Sequence, residues 1–356
     1  MELFKKMEEE GHEQVMFFQD KKTNLKSIVA IHNTVLGPAL GGCRMWPYET
    51  EDDAITDVLR LSKGMTYKSG VSGEDYGGGK TVIWGDPETD KSEGLFRALG
   101  KYIDSLNGRY STGTDVGTTY NDFVIMRKET KHVGALPEEY GGSGDSSIPT
   151  AYGTFMGIKA SCKEKYGSDS LEGKTVAVQG LGKVGGKLIK RLIDAGCEVV
   201  GTDINEDYIK EARELGVEIV ETEEIYDVDC DIFSPNALGA VINEDTIDRL
   251  KCDIIAGAAN NVLADESFGD KLYEKGILYA PDYVINAGGL IQVTDEMDPS
   301  GYSEERTMKK TEGIYDNLLE VFEISRKEDI PTYQAADKLV EDRIETMATI
   351  NTIKHK

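Results

Sequence analysis

Residues 175 to 203 narrow the fold more than any other stretch of the chain. Thr175-Val176-Ala177-Val178-Gln179 reads as a buried strand. Directly after it come Gly180-Leu181-Gly182-Lys183-Val184-Gly185, a helical run from Lys187 to Ala195, a second strand Glu198-Val199-Val200-Gly201-Thr202, and Asp203. Strand, G-x-G-x-x-G turn, helix, strand and acid, in that order, is the pattern of a doubly wound parallel sheet that binds a dinucleotide. The first glycine permits the tight turn, the second lets a pyrophosphate approach the backbone, and the third lets helix pack on strand. Asp203 is placed to accept from a ribose 2′-hydroxyl and to repel a 2′-phosphate. Its neighbours Ile204, Asn205, Glu206 and Asp207 include no arginine to hold one, so the pattern predicts NAD rather than NADP.

More strands follow at βα spacing: Cys230-Asp231-Ile232-Phe233, Asp253-Ile254-Ile255-Ala256 and Ile277-Leu278-Tyr279. Each ends in small or polar residues: Ser234-Pro235-Asn236-Ala237-Leu238, Gly257-Ala258-Ala259-Asn260-Asn261 and Asn286-Ala287-Gly288-Gly289. Carboxyl ends of parallel strands are where such a sheet holds ligands. Asn260 and Asn261 are either a plain turn pair or ligand contacts, and their place favours contact. A helix over about 150–166 opens this half, and helices over about 303–327 and 332–353 close the chain.

The front half reads as a separate α/β unit. Residues 1 to about 20 suggest a helix, followed by strands around Ile28–Ile31 and at Val35-Leu36, the latter leading into Gly37-Pro38-Ala39-Leu40-Gly41-Gly42. Glu49, Glu51, Asp52 and Asp53 precede Ala54, Ile55, Val58, Leu59 and Leu61, the spacing of one helix face with a favourable N-terminal charge. That helix runs on to Lys68. Gly77-Gly78-Gly79-Lys80 then opens the apolar run Thr81-Val82-Ile83-Trp84. Glycines allow close approach of backbone and ligand, and a lysine delivered there with its hydration stripped is able to act as a base or to polarise a carbonyl. A glycine-flanked lysine is otherwise an ordinary turn residue. A helix over about 93–106 precedes a strand over 109–112 that ends at Asp115, which is either a third catalytic group or the N-cap of the next helix. Between Glu138 and Thr150 the composition shifts to glycine, serine and proline, a candidate crossing between domains. The expected division is a substrate-binding and oligomerisation domain over 1–137, a nucleotide-binding domain over 138–330, and a final helix, 331–356, packing back on the first.

With 356 residues, 39% hydrophobic content and mean hydropathy of −0.39, the chain has room for two cores of a soluble protein. A net charge of −25 repels phosphate and so argues against nucleic acid or an anionic membrane as partner. The acidic residues are dispersed, which suits a salty cytoplasm. No apolar run reaches membrane-span length. Met1 to Asp20 carries too many charges for a signal peptide. The five cysteines are scattered without a C-x-x-C, suggesting reduced thiols, a cytoplasmic location and no metal site.

Taken together, Leu36-Gly37-Pro38-Ala39-Leu40-Gly41-Gly42, Lys63-Gly64-Met65-Thr66-Tyr67-Lys68, Gly77-Gly78-Gly79-Lys80, Thr114-Asp115-Val116-Gly117, Ala256-Gly257-Ala258-Ala259-Asn260-Asn261 and Pro281-Asp282-Tyr283-Val284-Ile285-Asn286-Ala287-Gly288-Gly289 resemble the glutamate, leucine, phenylalanine and valine dehydrogenase superfamily, in its shorter leucine/phenylalanine branch. Departures are few: Lys183 replaces a common asparagine, Asn236 a common cysteine and Cys43 a common threonine. The resemblance implies reversible oxidative deamination, in which an L-amino acid, NAD and water give a 2-oxo acid, ammonium and NADH. It implies that Lys68 binds the substrate carboxylate, that Lys80, its charged form disfavoured by burial and by Lys68, activates water and then stabilises an oxyanion, and that Asp115 moves the proton on and off nitrogen. Gly41, Gly42 and Asn261 would orient the substrate, Thr150 and Asn260 the nicotinamide amide, and the Gly180–Gly185 turn, Asp203, Ile204 and Ala237 the rest of the cofactor. Closure about residues 141–144 would exclude water, and the family forms homo-oligomers.

The resemblance also bears on the substrate. Where glutamate enzymes hold a distal carboxylate with lysine and serine, this chain has Leu40 and Val293, which leaves such a group unpaired. Gly113 and Leu290 match aromatic-specific relatives, whereas leucine-specific ones tend to alanine and valine. Phenylalanine or another aromatic is expected first, with branched aliphatics close behind. Two other readings stand beside this one: a different nicotinamide enzyme on the same scaffold, such as an alanine or hydroxy-acid dehydrogenase, and a silent NAD-binding protein. The first lacks its usual histidine, since only His12, His32, His132 and His355 are present and none lies in a glycine-rich turn.

Overall fold

The computed structural model describes residues 2–353. They form two compact units. One takes everything up to Gly144, then Val293–Ser303 and the chain from Val340 on; the other takes Asp145–Gln292 and Glu304–Leu339. The first passage between them falls inside the glycine- and serine-rich stretch.

In the first unit the order is α1 (Leu3–Glu10), β1 (Gln14–Asp20), β2 (Leu25–Asn33), β3 (Ala39–Trp46), α2 (Glu51–Val71), β4 (Gly77–Trp84), α3 (Glu93–Asp104), β5 (Tyr110–Thr114) and α4 (Tyr120–Met126). Its mixed sheet runs β1-β2-β4-β3-β5, antiparallel at β1/β2 and β2/β4 and parallel from there on. The single helix expected over residues 1–20 is not found. The chain turns at Gly11, in a left-handed conformation, and Gln14–Asp20 becomes an edge strand. Its apolar residues serve both faces of the sheet: Met16 and Phe18 pack into the core under α3, Val15 into the core under α2. Val35-Leu36 is not a strand either. Gly37 brings the backbone so close to Asp75 that a Cβ there would lie 2.0 Å from the Asp75 carbonyl oxygen, and pairing resumes only after Pro38.

α2 starts as the acidic cluster suggests, with a capping box between Thr50 and Asp53. It buries Ala54, Ile55, Val58 and Leu59 against Ile28, Ala30 and Val82 of the sheet. Its later turns settle on β4 because Gly78 has no side chain: a Cβ there would sit 2.1 Å from Thr66 Oγ1. The C-terminal end of α2 is held by Arg343, which donates to the Gly70 carbonyl at 2.7 Å and to Asp75 at 2.9 Å.

In the second unit come β6 (Thr175–Gln179), β7 (Glu198–Thr202), β8 (Glu218–Ile219), β9 (Ile232–Pro235), β10 (Ile254–Ile255) and β11 (Leu278–Tyr279). They make one parallel sheet in the order β11-β10-β9-β6-β7-β8, that of a doubly wound nucleotide-binding fold. Helices α5 (Ser147–Tyr166), α6 (Lys183–Asp194), α7 (Glu206–Glu214), α8 (Ser267–Glu274) and α9 (Asp282–Ile285) accompany it, and α10 (Gly288–Glu296) follows. The helix expected over 303–327 is two, α11 (Glu304–Glu312) and α12 (Ile314–Glu328), parted at Gly313, whose N–H closes a tighter turn on the Lys310 carbonyl. The last helix is α13 (Thr332–Ile353). No described helix is long and apolar enough to cross a membrane.

Two buried histidines tie α1 and β2 to α2. His32 Nε2 donates to the Glu10 carbonyl at 3.0 Å and its Nδ1 meets Thr66 Oγ1 at 2.8 Å, while His12 Nε2 lies 3.0 Å from both the Leu59 carbonyl and Ser62 Oγ. Burial, then the charge of His12, pushes the His32 pKa from its ordinary 6.5 to about 4. The folded chain therefore binds this proton more weakly than the unfolded chain, and stability present at neutral pH drains away as pH falls from about 6.5 toward 4. Over that window His32 contributes a loss of up to ~3 kcal/mol. Urea unfolding at a series of pH values should show a shallower slope for His32→Asn than for the parent chain; parallel slopes would show that this histidine does not carry the effect.

Candidate active site

Three adjacent strands converge on a single ion pair. Lys80, on β4, is only 7% exposed and places Nζ 2.8 Å from Oδ2 of Asp115, which directly follows β5. β3 lies between those two strands, and the lysine must cross it. It crosses at Gly42, where a Cβ would stand 2.9 Å from Asp115 Cβ and 3.2 Å from Lys80 Nζ. A glycine at 42 is thus a steric condition of the pair. Gly41 is constrained as tightly, since a Cβ there would lie 1.7 Å from the Gly79 carbonyl oxygen, and its own carbonyl accepts from Tyr110 Oη at 3.0 Å.

Asp115 is not an N-cap: α4 is capped by Thr119, which shares a capping box with Asp122. Its backbone is fixed instead through Thr118, whose hydroxyl accepts from the Asp115 N–H at 3.0 Å and donates to the Cys43 carbonyl at 2.8 Å. Burial alone would raise the Asp115 pKa. The charge of Lys80, its hydrogen bond and the charge of Arg44 outweigh that and hold the carboxyl below its ordinary value. A largely screened ion pair is costly to break, by up to roughly 3–5 kcal/mol when one partner is removed, because the other is left charged with little water around it. Lys68 stands in the late turns of α2, the helix packed on the sheet face that Lys80 shares with Val82, and is half-buried.

Near the pair lies a cluster of small and apolar groups. Leu40 is 2% exposed, Gly113 pairs with Gly42 across β5 and β3, and a Cβ on Gly113 would touch Ala135 Cβ at 3.5 Å. A Cβ on the neighbouring Gly134 would meet Met297 at 2.8 Å and Val293 at 3.1 Å. Ala135 has φ of +57, a strained conformation for alanine. It is held by Glu296, whose Oε2 accepts from the Ala135 N–H at 2.7 Å while Oε1 accepts from the Ser143 N–H at 2.9 Å and from the Ser143 hydroxyl. Sequence reasoning passed over Arg44, Asp57, Glu296 and Ala135. An arginine two residues beyond Gly42 was the one visible signal among them.

In the second unit the glycine turn has the predicted build. Gly180 has φ of +93, and a Cβ there would press to 2.7 Å from Ala237 Cβ; a Cβ on Gly185 would lie 2.0 Å from the Gly180 carbonyl oxygen. Over Gly182, by contrast, the nearest atom to a Cβ is the Tyr208 ring at 3.5 Å, so the backbone there is open to a ligand. Gly182 caps α6, Lys183 begins it exposed, Val184 is half-buried and Leu181 packs inward. Asp203 follows β7 and steadies the turn: Oδ2 accepts from the Leu181 N–H at 2.6 Å and Oδ1 from the Asn205 N–H at 2.9 Å. Ile204 is 88% exposed. Asn236 ties neighbouring loops by accepting from the Ala258 N–H at 3.0 Å. Thr150 donates to the Ser146 carbonyl, Asn260 accepts from Asn286 at 2.9 Å, and Asn261 takes a left-handed conformation. Leu290 is buried on α10 in this unit, whereas Val293 of the same helix belongs to the other. An open glycine turn with an acid at the next strand end fits a dinucleotide.

Residues 12–132 match the family model described as Glu/Leu/Phe/Val dehydrogenase, dimerisation domain, and residues 141–220 and 201–347 match that of glutamate/leucine/phenylalanine/valine dehydrogenase. The chain is 55% identical to a leucine dehydrogenase of Thermoactinomyces intermedius, over 98% of this chain and 94% of the relative. It is 52% identical to a phenylalanine dehydrogenase of Lysinibacillus sphaericus, over 96% and 91%. Among solved structures, an L-tryptophan dehydrogenase from Nostoc punctiforme superposes with a TM-score of 0.89 at 45% identity, covering 98% of this chain and 99% of that one.

The glycine geometry makes an opposed pair of expectations. Gly42→Ala, overpacked between Lys80 and Asp115, should lose ~1–3 kcal/mol, whereas Gly64→Ala, on α2 with nothing within 4 Å of a new Cβ, should gain up to ~1 kcal/mol. Calorimetric melting should move the two variants in opposite directions; a Gly42→Ala chain as stable as its parent would contradict the crossing described above.

Proposed function

The chain belongs to the Glu/Leu/Phe/Val dehydrogenase family, and from that premise we propose that it catalyses the NAD-dependent oxidative deamination of an apolar L-amino acid to the 2-oxo acid and ammonium. It is an amino-acid dehydrogenase; the cofactor, the substrate and the residue roles are our reading. The observation that carries them is the buried Lys80–Asp115 pair spanning Gly42.

The Gly180–Gly185 turn and Asp203 would hold NAD, which would supply the hydride acceptor. An acid and an exposed isoleucine at 203–204, with no arginine among 204–207, support NAD over NADP. Lys68 binds the substrate carboxylate as a fixed cation. Asp115 takes the proton from the substrate ammonium and later returns one to the leaving ammonia. Lys80 positions and deprotonates the water that attacks the imine carbon, then stabilises the oxyanion as the carbon–nitrogen bond breaks. The backbone of Gly41 and Gly42 and the side chain of Asn261 orient the substrate, and Thr150 and Asn260 hold the nicotinamide amide. A homo-oligomer is supported by the description of the first matching domain as one of dimerisation. A reducing cytoplasm is supported by five free cysteines.

Leu40 and Val293 offer nothing to pair with a second carboxylate, so glutamate is rejected. Gly113 against Ala135 leaves the space of a missing methyl, which suits an aromatic ring first and leucine or another branched chain second. Discrimination on this scale is worth only ~1–3 kcal/mol, so the specificities overlap.

Initial rates over a panel of amino acids with NAD and NADP are expected to show phenylalanine and leucine oxidised with NAD and glutamate untouched; a preference for glutamate would overturn the reading. Gly113→Ala should shift kcat/KM toward branched aliphatics by roughly 10-fold. Lys80→Ala should abolish turnover while NAD still binds by calorimetric titration, and full activity in that variant would remove the role assigned to the lysine.

A further inference from the structure

Arg44 leaves β3 two residues after Gly42, the next position on the same face of the strand. Its Nε donates to Asp115 Oδ2 at 3.1 Å, the same oxygen that Lys80 holds. Its Nη1 donates to Asp57 Oδ2 at 2.9 Å, so one guanidinium bridges two carboxylates. Asp57, on α2, is itself fixed by the Tyr48 hydroxyl at 2.7 Å and by Arg60 at 2.9 Å. The arginine and both carboxylates are mostly screened from solvent, at 21%, 23% and 16% exposure. The charged side chains in contact with Asp115 are therefore Lys80 from β4 and Arg44 from β3, with Asp57 of α2 and Tyr48, just beyond β3, on the far side of the guanidinium.

We propose that Arg44 is a positioning residue, braced by Asp57, that keeps the Asp115 carboxylate aimed and ionised while Lys80 gives up its proton. The inference rests on the roles read above for Lys80 and Asp115. Those roles require the ammonium of Lys80 to become an amine during the cycle, which removes one of the two cations on Oδ2. A guanidinium does not titrate at any working pH, so the second cation stays. Without it a largely buried carboxylate would face a neutral amine, and its burial would then favour the protonated form, which is unable to take a proton from the substrate. The bridge also needs a planar fork with two nitrogens at fixed angles. Lysine supplies charge at that position but only one nitrogen.

The test is the pH dependence of kcat/KM and kcat, whose acid limb reports the coupled Lys80–Asp115 pair. In Arg44→Gln the lost positive charge should move that limb to higher pH by about 0.5–1 unit, and misaiming should lower kcat roughly 10-fold, with the NAD affinity unchanged. Arg44→Lys should return the limb close to its parent position while kcat stays low. Asp57→Asn, which leaves Arg44 unneutralised, should move the limb the other way, to lower pH. Opposite displacements from two neighbours are not what a plain structural strut gives. A limb unmoved in Arg44→Gln, or unmoved in Asp57→Asn should the arginine variant fail to fold, would overturn the proposal. Asp115→Asn separates the two levels of argument: wild-type turnover in that variant defeats the role given to Asp115 itself, whereas an inactive Asp115→Asn beside an unmoved Arg44→Gln profile defeats only the role of Arg44.

Discussion

A charged lysine and a charged aspartate meet inside the first unit across a strand that has no side chain in the way. That one contact dictates much of the surrounding sequence. Lys80 crosses at Gly42, so residue 42 must be glycine. β4 approaches α2, the helix that carries Lys68, as closely as it does only because Gly78 leaves room for Thr66. Two ionised groups taken out of water are tolerated because each finds the other and because Arg44 adds a second cation on the carboxylate. The glycine-rich segments at 41–42 and 77–79 are the steric consequence of the pair.

The two units differ in kind, the first built around a charged cluster and the second around an open backbone turn. In the first, polar contacts reach the backbone itself, where an alanine is held in a left-handed conformation by the Glu296 carboxylate. In the second, Gly182 is left clear where Gly180 and Gly185 are crowded. Crowding fixes the turn, and openness leaves backbone that an anionic ligand could approach. Asp203 serves both ends, since its carboxylate holds the Leu181 N–H of the turn from the end of the next strand.

The second unit was the more legible half in sequence. Its strand centres are apolar and its turn combines spacing with residue type, so β6, β7 and Asp203 stand where the pattern puts them, while α6 starts at Lys183, four residues before the expected Lys187. The first unit was harder to read for a physical reason. β3 carries Gly41 and Gly42 in mid-strand, and glycine gives no alternation to detect. β1 puts apolar residues on both faces of an edge position, which imitates the apolar content of a short helix. Lys80 and Asp115 were accessible through their motifs, but what supports them was not. Arg44, Asp57 and Glu296 act on partners 71, 13 and 161 residues away in the chain, and no local pattern records such separations.

The account stands or falls on whether Lys80 and Asp115 act as one unit. A double-mutant cycle on kcat with Lys80→Met, Asp115→Asn and the combined variant measures this directly. If the pair is the reacting unit, either single change removes nearly all the rate and the double variant is little worse than the worse single. Losses that multiply, each residue contributing its own factor whatever the state of the other, would show that the contact across Gly42 is structural and that the chemistry lies elsewhere.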